Sequence, residues 1–363
     1  MKHKYKVCVY AICRNEESFV NRWYESMKEA DEIYVLDTGS TDDTVKKLEK
    51  LNVFVTKKEI NPWRFDVARN ESLSLVPIDT DICVCTDLDE IFTPGWRDEL
   101  EKVWDEDTTR VRYNYNWNFD KYGNPDVNFY IEKIHSRNGY KWIHPVHEVL
   151  KYEGDEVFKT TDSFTLNHYP DKNKSRSSYL PLLELSVKEE PLDDRNMHYL
   201  GREYMYYGMW NESIDTLIKH LELKSATWKD ERAASMRFIS RCYINLKRYR
   251  EAEMWLNYAI NEAPYLRDGY VEMAMLMLSL NRYKEVIDYC KKALEINSKN
   301  KTYINETFSY NYTIYDLMAN GYFYLGNYDD AYNYSIIALE MDPDNERLKN
   351  NRDIILKYKM EAK

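Results

Sequence analysis

Glycine is scarce in this chain, at 10 residues in 363. Neither a GxGxxG nor a GxxxxGK[ST] stretch occurs. Dinucleotide-fold and P-loop readings therefore lose the turns that bring backbone N–H groups to phosphate. Cysteine is also scarce, with six residues and no CxxC pair. That excludes a disulfide framework and a zinc ribbon, and a reducing cytoplasm is the expected compartment. Long apolar runs are missing. Val7–Cys13 is the longest early one, and it ends at Arg14-Asn15-Glu16-Glu17. It is too short for a signal peptide or a membrane span, so no integral membrane segment is expected. Positive charge is in deficit, 51 Lys and Arg against 62 Asp and Glu, net −11. Charge-driven nucleic-acid binding is accordingly not expected. The length suits two domains, each able to bury its own core.

What is present changes character near residue 180. The first half alternates short apolar runs with helical patterns. Strands are expected at Lys6–Ile12, Glu32–Leu36, Val53–Thr56 and Asp81–Thr86. Helices are expected at Glu17–Glu29 and Phe65–Leu75, with another capped by Ser40 or Thr41. Such alternation predicts a mostly parallel sheet, with ligands beyond the carboxyl ends of its strands. From Arg110 to Leu166 three aromatic-rich segments read as antiparallel strands: Val111–Phe119, Val127–Ile134 and Tyr140–Tyr152.

The second half repeats. Trp210, Tyr249, Tyr283 and Tyr328 each follow a helical segment, at spacings of 39, 34 and 45. Three residues beyond each stands Ser213, Ala252, Val286 or Ala331, and seven further on His220, Ala259, Ala293 or Ala338. Gly208 and Gly326 mark turns, and residues 298–310 look like an insertion. A period near 34 with small residues at helix crossings resembles the tetratricopeptide repeat. Most of the tyrosines here are expected in the solenoid core. The domains expected are 1–180 and 181–363.

Asp87-Leu88-Asp89 closes the fourth strand. In an extended segment, residues two apart face one way. Two carboxylates so placed suit a hard divalent ion, whose shell a diphosphate can complete. A plain acidic turn is the alternative.

Here the residues resemble a family. Ala11–Glu17, Asp37–Thr44, Ala68-Arg69-Asn70, Asp87–Glu90, Trp142–Glu148 and Leu166–Tyr169 stand in the order found in GT-A fold nucleotide-sugar transferases of inverting family 2. With the repeats, the chain is similar to sublancin-type peptide S-glycosyltransferases and to transferases of cell-surface glycans. The resemblance implies an α/β GT-A domain, a Rossmann-like mixed sheet, followed by an all-α tetratricopeptide-like domain. It implies a UDP-sugar donor, Mn²⁺ or Mg²⁺, and a peptide, protein or glycan acceptor. Arg14, Glu16 and Asp37 would line the nucleotide pocket, and Arg69 would pair with phosphate. Asp89 would hold the metal, with His168 or His147 as a further ligand, and Asp87 would support ribose or metal. Glu148 would be the base, 59 residues after Asp89. Lys174 and Arg176 would clamp the diphosphate, and Trp142 would stack on a sugar. Each residue also has a structural reading: turn or helix cap for Asp37, surface charge for Arg69, ion-pair partner for Glu148, core aromatic for Trp142. Exposed solenoid ends often pair, which points to a homodimer. A scaffold with a degenerate transferase domain and a nucleotidyltransferase are the competing functions.

Overall fold

The computed structural model describes residues 3–171, 178–297 and 302–362. By contacts the chain divides into two units, one running to Glu189 and the second beginning at Glu190.

The first unit is built on β1 (Val7–Cys13), β2 (Glu32–Asp37), β3 (Phe54–Lys57) and β4 (Ile82–Cys85), all parallel. Val7 through Ala11 of β1 are fully buried, as a strand covered on both faces requires. β5 (Glu90–Phe92), β6 (Arg110–Asn116), β7 (Asn128–Ser136) and β10 (Phe158–His168) extend this core. The sheet order is β3-β2-β1-β4-β7-β6-β10-β5. β7 runs antiparallel to β4 and β6, and β10 runs parallel to β6. The expectation of antiparallel strands after residue 110 therefore holds for β7 but not for the β6–β10 pair. The expected single strand Tyr140–Tyr152 is a hairpin of β8 (Tyr140–Ile143) and β9 (Val149–Tyr152). His144 and His147, both with left-handed φ (77° and 52°), turn the chain between them.

One sheet face packs on α1 (Val20–Met27), α2 (Thr44–Lys50) and α4 (Trp96–Val103) through Trp23, Leu48 and Trp96. The other packs on α3 (Phe65–Ser74) and the β8–β9 hairpin, through Tyr10, Leu73, Trp142 and Leu150. Strand β4 lies on the opposite side of β1 from β2. The chain thus switches direction at β1–β4, and the crevice expected at such a point opens beyond the ends of these strands. Ser40 and Thr41 do not cap α2. They tie the β2 loop to the β1 loop: Asn15 N–H donates to Ser40 Oγ at 2.9 Å, and Thr41 N–H to Asn15 Oδ1 at 2.8 Å. Asp42 instead accepts from Thr44 N–H at 3.0 Å. Last in this unit is α5 (Tyr179–Glu189), held by the Arg64–Glu189 pair at 2.6 Å.

The second unit is a series of helical hairpins: α6 (Asp194–Tyr206) with α7 (Trp210–Glu222), α8 (Lys229–Asn245) with α9 (Tyr249–Glu262), α10 (Arg267–Ser279) with α11 (Tyr283–Glu295), and α12 (Thr313–Tyr324) with α13 (Tyr328–Met341). α14 (Glu346–Glu361) follows. Trp210, Tyr249, Tyr283 and Tyr328 are the first residues of the second helices. Ser213, Ala252, Val286, Ala331, His220, Ala259, Ala293 and Ala338 are all buried, as the repeat reading requires. Gly201 shows why: a Cβ there would lie 2.5 Å from Leu217 on the partner helix. The tyrosines depart from expectation. Among the described residues of this unit only Tyr199 is buried, while Tyr206, Tyr249, Tyr258 and Tyr324 are exposed. Small residues fill the crossings, so rings such as Tyr243, Tyr270, Tyr289, Tyr322 and Tyr334 pack half-buried against the edge of the core.

Candidate active site

Asp87 and Asp89 do not lie in an extended segment. Glu90 N–H donates to the Asp87 carbonyl at 3.0 Å, closing a turn directly after β4. Leu88 is driven into the core, and the two carboxylates go to different partners.

Asp87 meets two cations. Arg69 on α3 donates to its Oδ1 at 2.6 Å, and Lys133 on β7 to its Oδ2 at 3.2 Å. Burial alone would raise the Asp87 pKa, but Arg69 and Lys133 outweigh it and hold the carboxyl well below its ordinary range. Lys133 also donates to Glu90 Oε1 at 3.0 Å, where Tyr115 Oη donates at 2.8 Å. Glu90 is buried, and desolvation pushes its pKa up. The Arg69 Nε–H donates to Glu148 Oε1 at 3.0 Å. Arg69, only 4% exposed, is thus a buried strut between Asp87 and Glu148 and not the surface charge of the alternative reading. Its place on α3 follows from Phe65 N–H donating to the Pro145 carbonyl at 2.9 Å, which seats the β8–β9 loop on the start of that helix.

Asp89 turns the other way. Its Oδ2 lies 3.4 Å from His168 Nε2. The pairing of β10 with β5 sets this up: His168 stands opposite Glu90, and Tyr169 N–H donates to the Asp89 carbonyl at 2.8 Å. His168 Nδ1 must carry the proton, since it donates to the Trp117 carbonyl at 2.9 Å. Nε2 is therefore the nitrogen aimed at Asp89. Burial lowers the His168 pKa, but the bond and charge of Asp89 win and raise it. A carboxylate and an imidazole nitrogen converge here, the imidazole fixed from behind by a carbonyl. That is the arrangement of a metal ligand with its orienting partner. Four carboxylates (Asp87, Asp89, Glu90, Glu148) meet two permanent cations, Arg69 and Lys133, and both cations are spent away from Asp89. The uncompensated charge sits at Asp89, so this donor set fits a divalent ion.

Two expectations fail on geometry. Trp142 is 3% exposed, and its indole N–H donates to Tyr10 Oη at 2.8 Å. It is a core aromatic and has no face for a sugar. His147 does not join Asp89 and His168 in a three-ligand cluster; its ring meets Tyr179 edge-on at 5.8 Å. Its left-handed backbone in the β8–β9 loop directs it there. Glu148 lies in that loop too, just before β9. Asp37 is buried and caps its own turn, accepting from Gly39 and Ser40 N–H at 3.3 and 3.2 Å. Arg14 is exposed, and Glu16 is buried beneath the β1 loop. Lys174 and Arg176 lie outside the described residues.

Lys133 is the member that sequence reading missed. Ile131 and Ile134 both pack in the α1/α4-side core, although strict alternation would separate them. A bulge opposite Arg112 makes this possible and re-aims Lys133 at Asp87 and Glu90. The signal in the sequence was a lysine beside Glu132, set between the apolar Ile131 and Ile134 of a strand.

The strands and helices that carry most of this crevice fall in a stretch that matches a family model. Positions 8–152 fit the model described as glycosyl transferase family 2. The chain carries a family 2 glycosyltransferase domain. Positions 268–300 fit the tetratricopeptide repeat model. An uncharacterized glycosyltransferase of Rickettsia typhi is 22% identical over 273 residues, 74% of this chain and 81% of that one. Another, of Rickettsia conorii, is 33% identical over 100 residues, 27% of this chain and 34% of its own length. Among solved structures, a MamA crystal structure covers 48% of this chain and 96% of itself at 20% identity and a TM-score of 0.38. A tetratricopeptide protein of Thermus thermophilus covers 50% and 90% at 19% identity, with a TM-score of 0.37. The glycosyltransferase is a mixed-sheet domain followed by helical repeats. Among its described residues no helix is long and apolar enough to cross a membrane.

Proposed function

We propose that this glycosyltransferase is metal-dependent and inverting, moving a sugar from a UDP-sugar to a peptide Cys or Ser or to a glycan hydroxyl. The observation that carries the reading is the Asp89–His168 pair beside the Asp87–Arg69–Glu148 chain at the carboxyl end of β4. Asp89 and His168 would hold Mn²⁺ or Mg²⁺, and the ion would neutralise charge on the departing diphosphate.

The chain's own groups divide the remaining work. Arg69 donates to one oxygen of Glu148, and Oε2 has no partner among the described residues. Glu148 Oε2 accepts the acceptor's proton as its oxygen or sulfur bonds to the anomeric carbon. The bond from that carbon to the diphosphate oxygen breaks, and its electron pair leaves with UDP. A thiol acceptor asks less of this base, because its pKa is lower. Lys133 and Arg69 keep Asp87 ionised and fixed, so that it can accept from a ribose hydroxyl. Arg14, Glu16 and Asp37 shape the nucleotide side, Asp37 through its turn. The repeats supply exposed tyrosines, among them Tyr206, Tyr249, Tyr258 and Tyr324, for a polymeric acceptor or for a second copy of the chain. The cytoplasm is the compartment proposed.

Purified protein incubated with single UDP-sugars and Mn²⁺ is expected to release UDP from one of them. EDTA is expected to stop this release. Release of pyrophosphate, or release unaffected by EDTA, would refute the reading.

A further inference from the structure

The first helical repeat carries a feature that glycosyl transfer does not use. Where the other three repeats have Ala259, Ala293 and Ala338, this one has His220. The imidazole is fully buried, and so is that of His198 on α6. Their ring centroids are 5.5 Å apart. Glu231 and Ser235, one turn apart on α8, complete the group and are also buried.

Ser235 Oγ lies 2.7 Å from His198 Nδ1 and 3.0 Å from His220 Nδ1. A hydroxyl oxygen has two lone pairs and can accept from both Nδ1–H groups at once. Both imidazoles then present a bare Nε2. Among the described residues neither Nε2 has a hydrogen-bond partner, although each is shut off from water. The His220 Nε2 has the Glu231 carboxylate 3.4 Å away. One donor atom from each of His198, His220 and Glu231 lies within 4.8 Å of the others. Two buried nitrogens, each oriented through its far side by one hydroxyl, are costly if left unmatched. They are correctly prepared if a cation is their partner.

We infer that His198, His220 and Glu231 form a transition-metal site joining α6, α7 and α8. Two imidazole nitrogens and one carboxylate oxygen select a borderline ion such as Zn²⁺. Mg²⁺ and Ca²⁺ prefer all-oxygen sets. The site is separate from Asp89 and His168 in its residues, and it does not depend on the transferase mechanism.

The test uses full-length protein carrying Asp89→Ala and His168→Ala, so that an ion at the transferase site does not count. Zn²⁺ is added, the protein is desalted, and retained metal is measured. One equivalent retained, with a raised unfolding temperature, is the expected result. Adding His198→Gln or Glu231→Gln is expected to weaken Zn²⁺ binding about tenfold or more. No retained zinc, or equal retention after His198→Gln, overturns the site. Should His198→Gln not fold, the Co²⁺ form of the parent decides. Intense visible bands of a four-coordinate ion support the site, and the pale spectrum of the aqueous ion overturns it.

Discussion

Asp89→Ala is expected to lower kcat/KM for the donor by about 10²–10³-fold, the size of several kcal/mol of lost charge stabilisation. Among the described residues, Asp89 alone of the four site carboxylates lacks a permanent cation. Its removal therefore takes away the negative charge that a divalent ion would answer. The fold should tolerate the change, because Leu88 and the Glu90 turn hydrogen bond hold the loop. Thermal unfolding is expected to shift little. The kcat and KM of the variant should respond weakly to added Mn²⁺. Asp107→Ala, in the exposed stretch before β6, is the control and should behave as wild type. An Asp89→Ala enzyme with wild-type turnover would remove the metal from the account.

Arg69→Met is expected to damage both stability and activity. The guanidinium is buried and holds two carboxylates through separate nitrogens, at 2.6 and 3.0 Å. Without it Asp87 keeps Lys133, but Glu148 keeps no permanent cation. Breaking a buried pair on one side costs about 3–5 kcal/mol. For the unfolding of the first unit, Met1–Glu189, that corresponds to roughly 6–20 °C in unfolding temperature. Turnover should fall as well, since the proposed base loses its fixed position. Arg69→Lys is not expected to rescue, because an ammonium cannot reach both acids with a planar fork. Differential scanning calorimetry and donor turnover check both halves. An Arg69→Met protein with unchanged unfolding and turnover would return Arg69 to a surface role.

Much of this was legible in the residues. Continuous apolar runs placed β1, β2 and β4, and a helical stripe placed α1 and α3. The repeat spacing singled out Trp210, Tyr249, Tyr283 and Tyr328 at turns after helices, and these residues begin the second helix of each hairpin. The Asp89–His168 partnership was visible as two motif pieces 79 positions apart, which the β5–β10 pairing joins. Other parts were hidden for identifiable reasons. A bulge in β7 breaks the alternation that would have revealed Lys133. Two left-handed histidines turn an apparently continuous strand into a hairpin. The resemblance left Trp142 open between sugar stacking and the core, and a buried partner for its indole on Tyr10 decides for the core. A short element such as β5 carried too few residues to show a period. The repeat tyrosines misled because the crossings had already been filled by Ala, Ser and Gly.

The most direct measurement is calorimetric titration of UDP-sugars into wild-type protein and Asp89→Ala, with Mn²⁺ and with EDTA. The account predicts saturable binding of a UDP-sugar to wild type with Mn²⁺, and none with EDTA or in Asp89→Ala. Equal donor binding in all of these conditions, or no binding of any UDP-sugar, would contradict it.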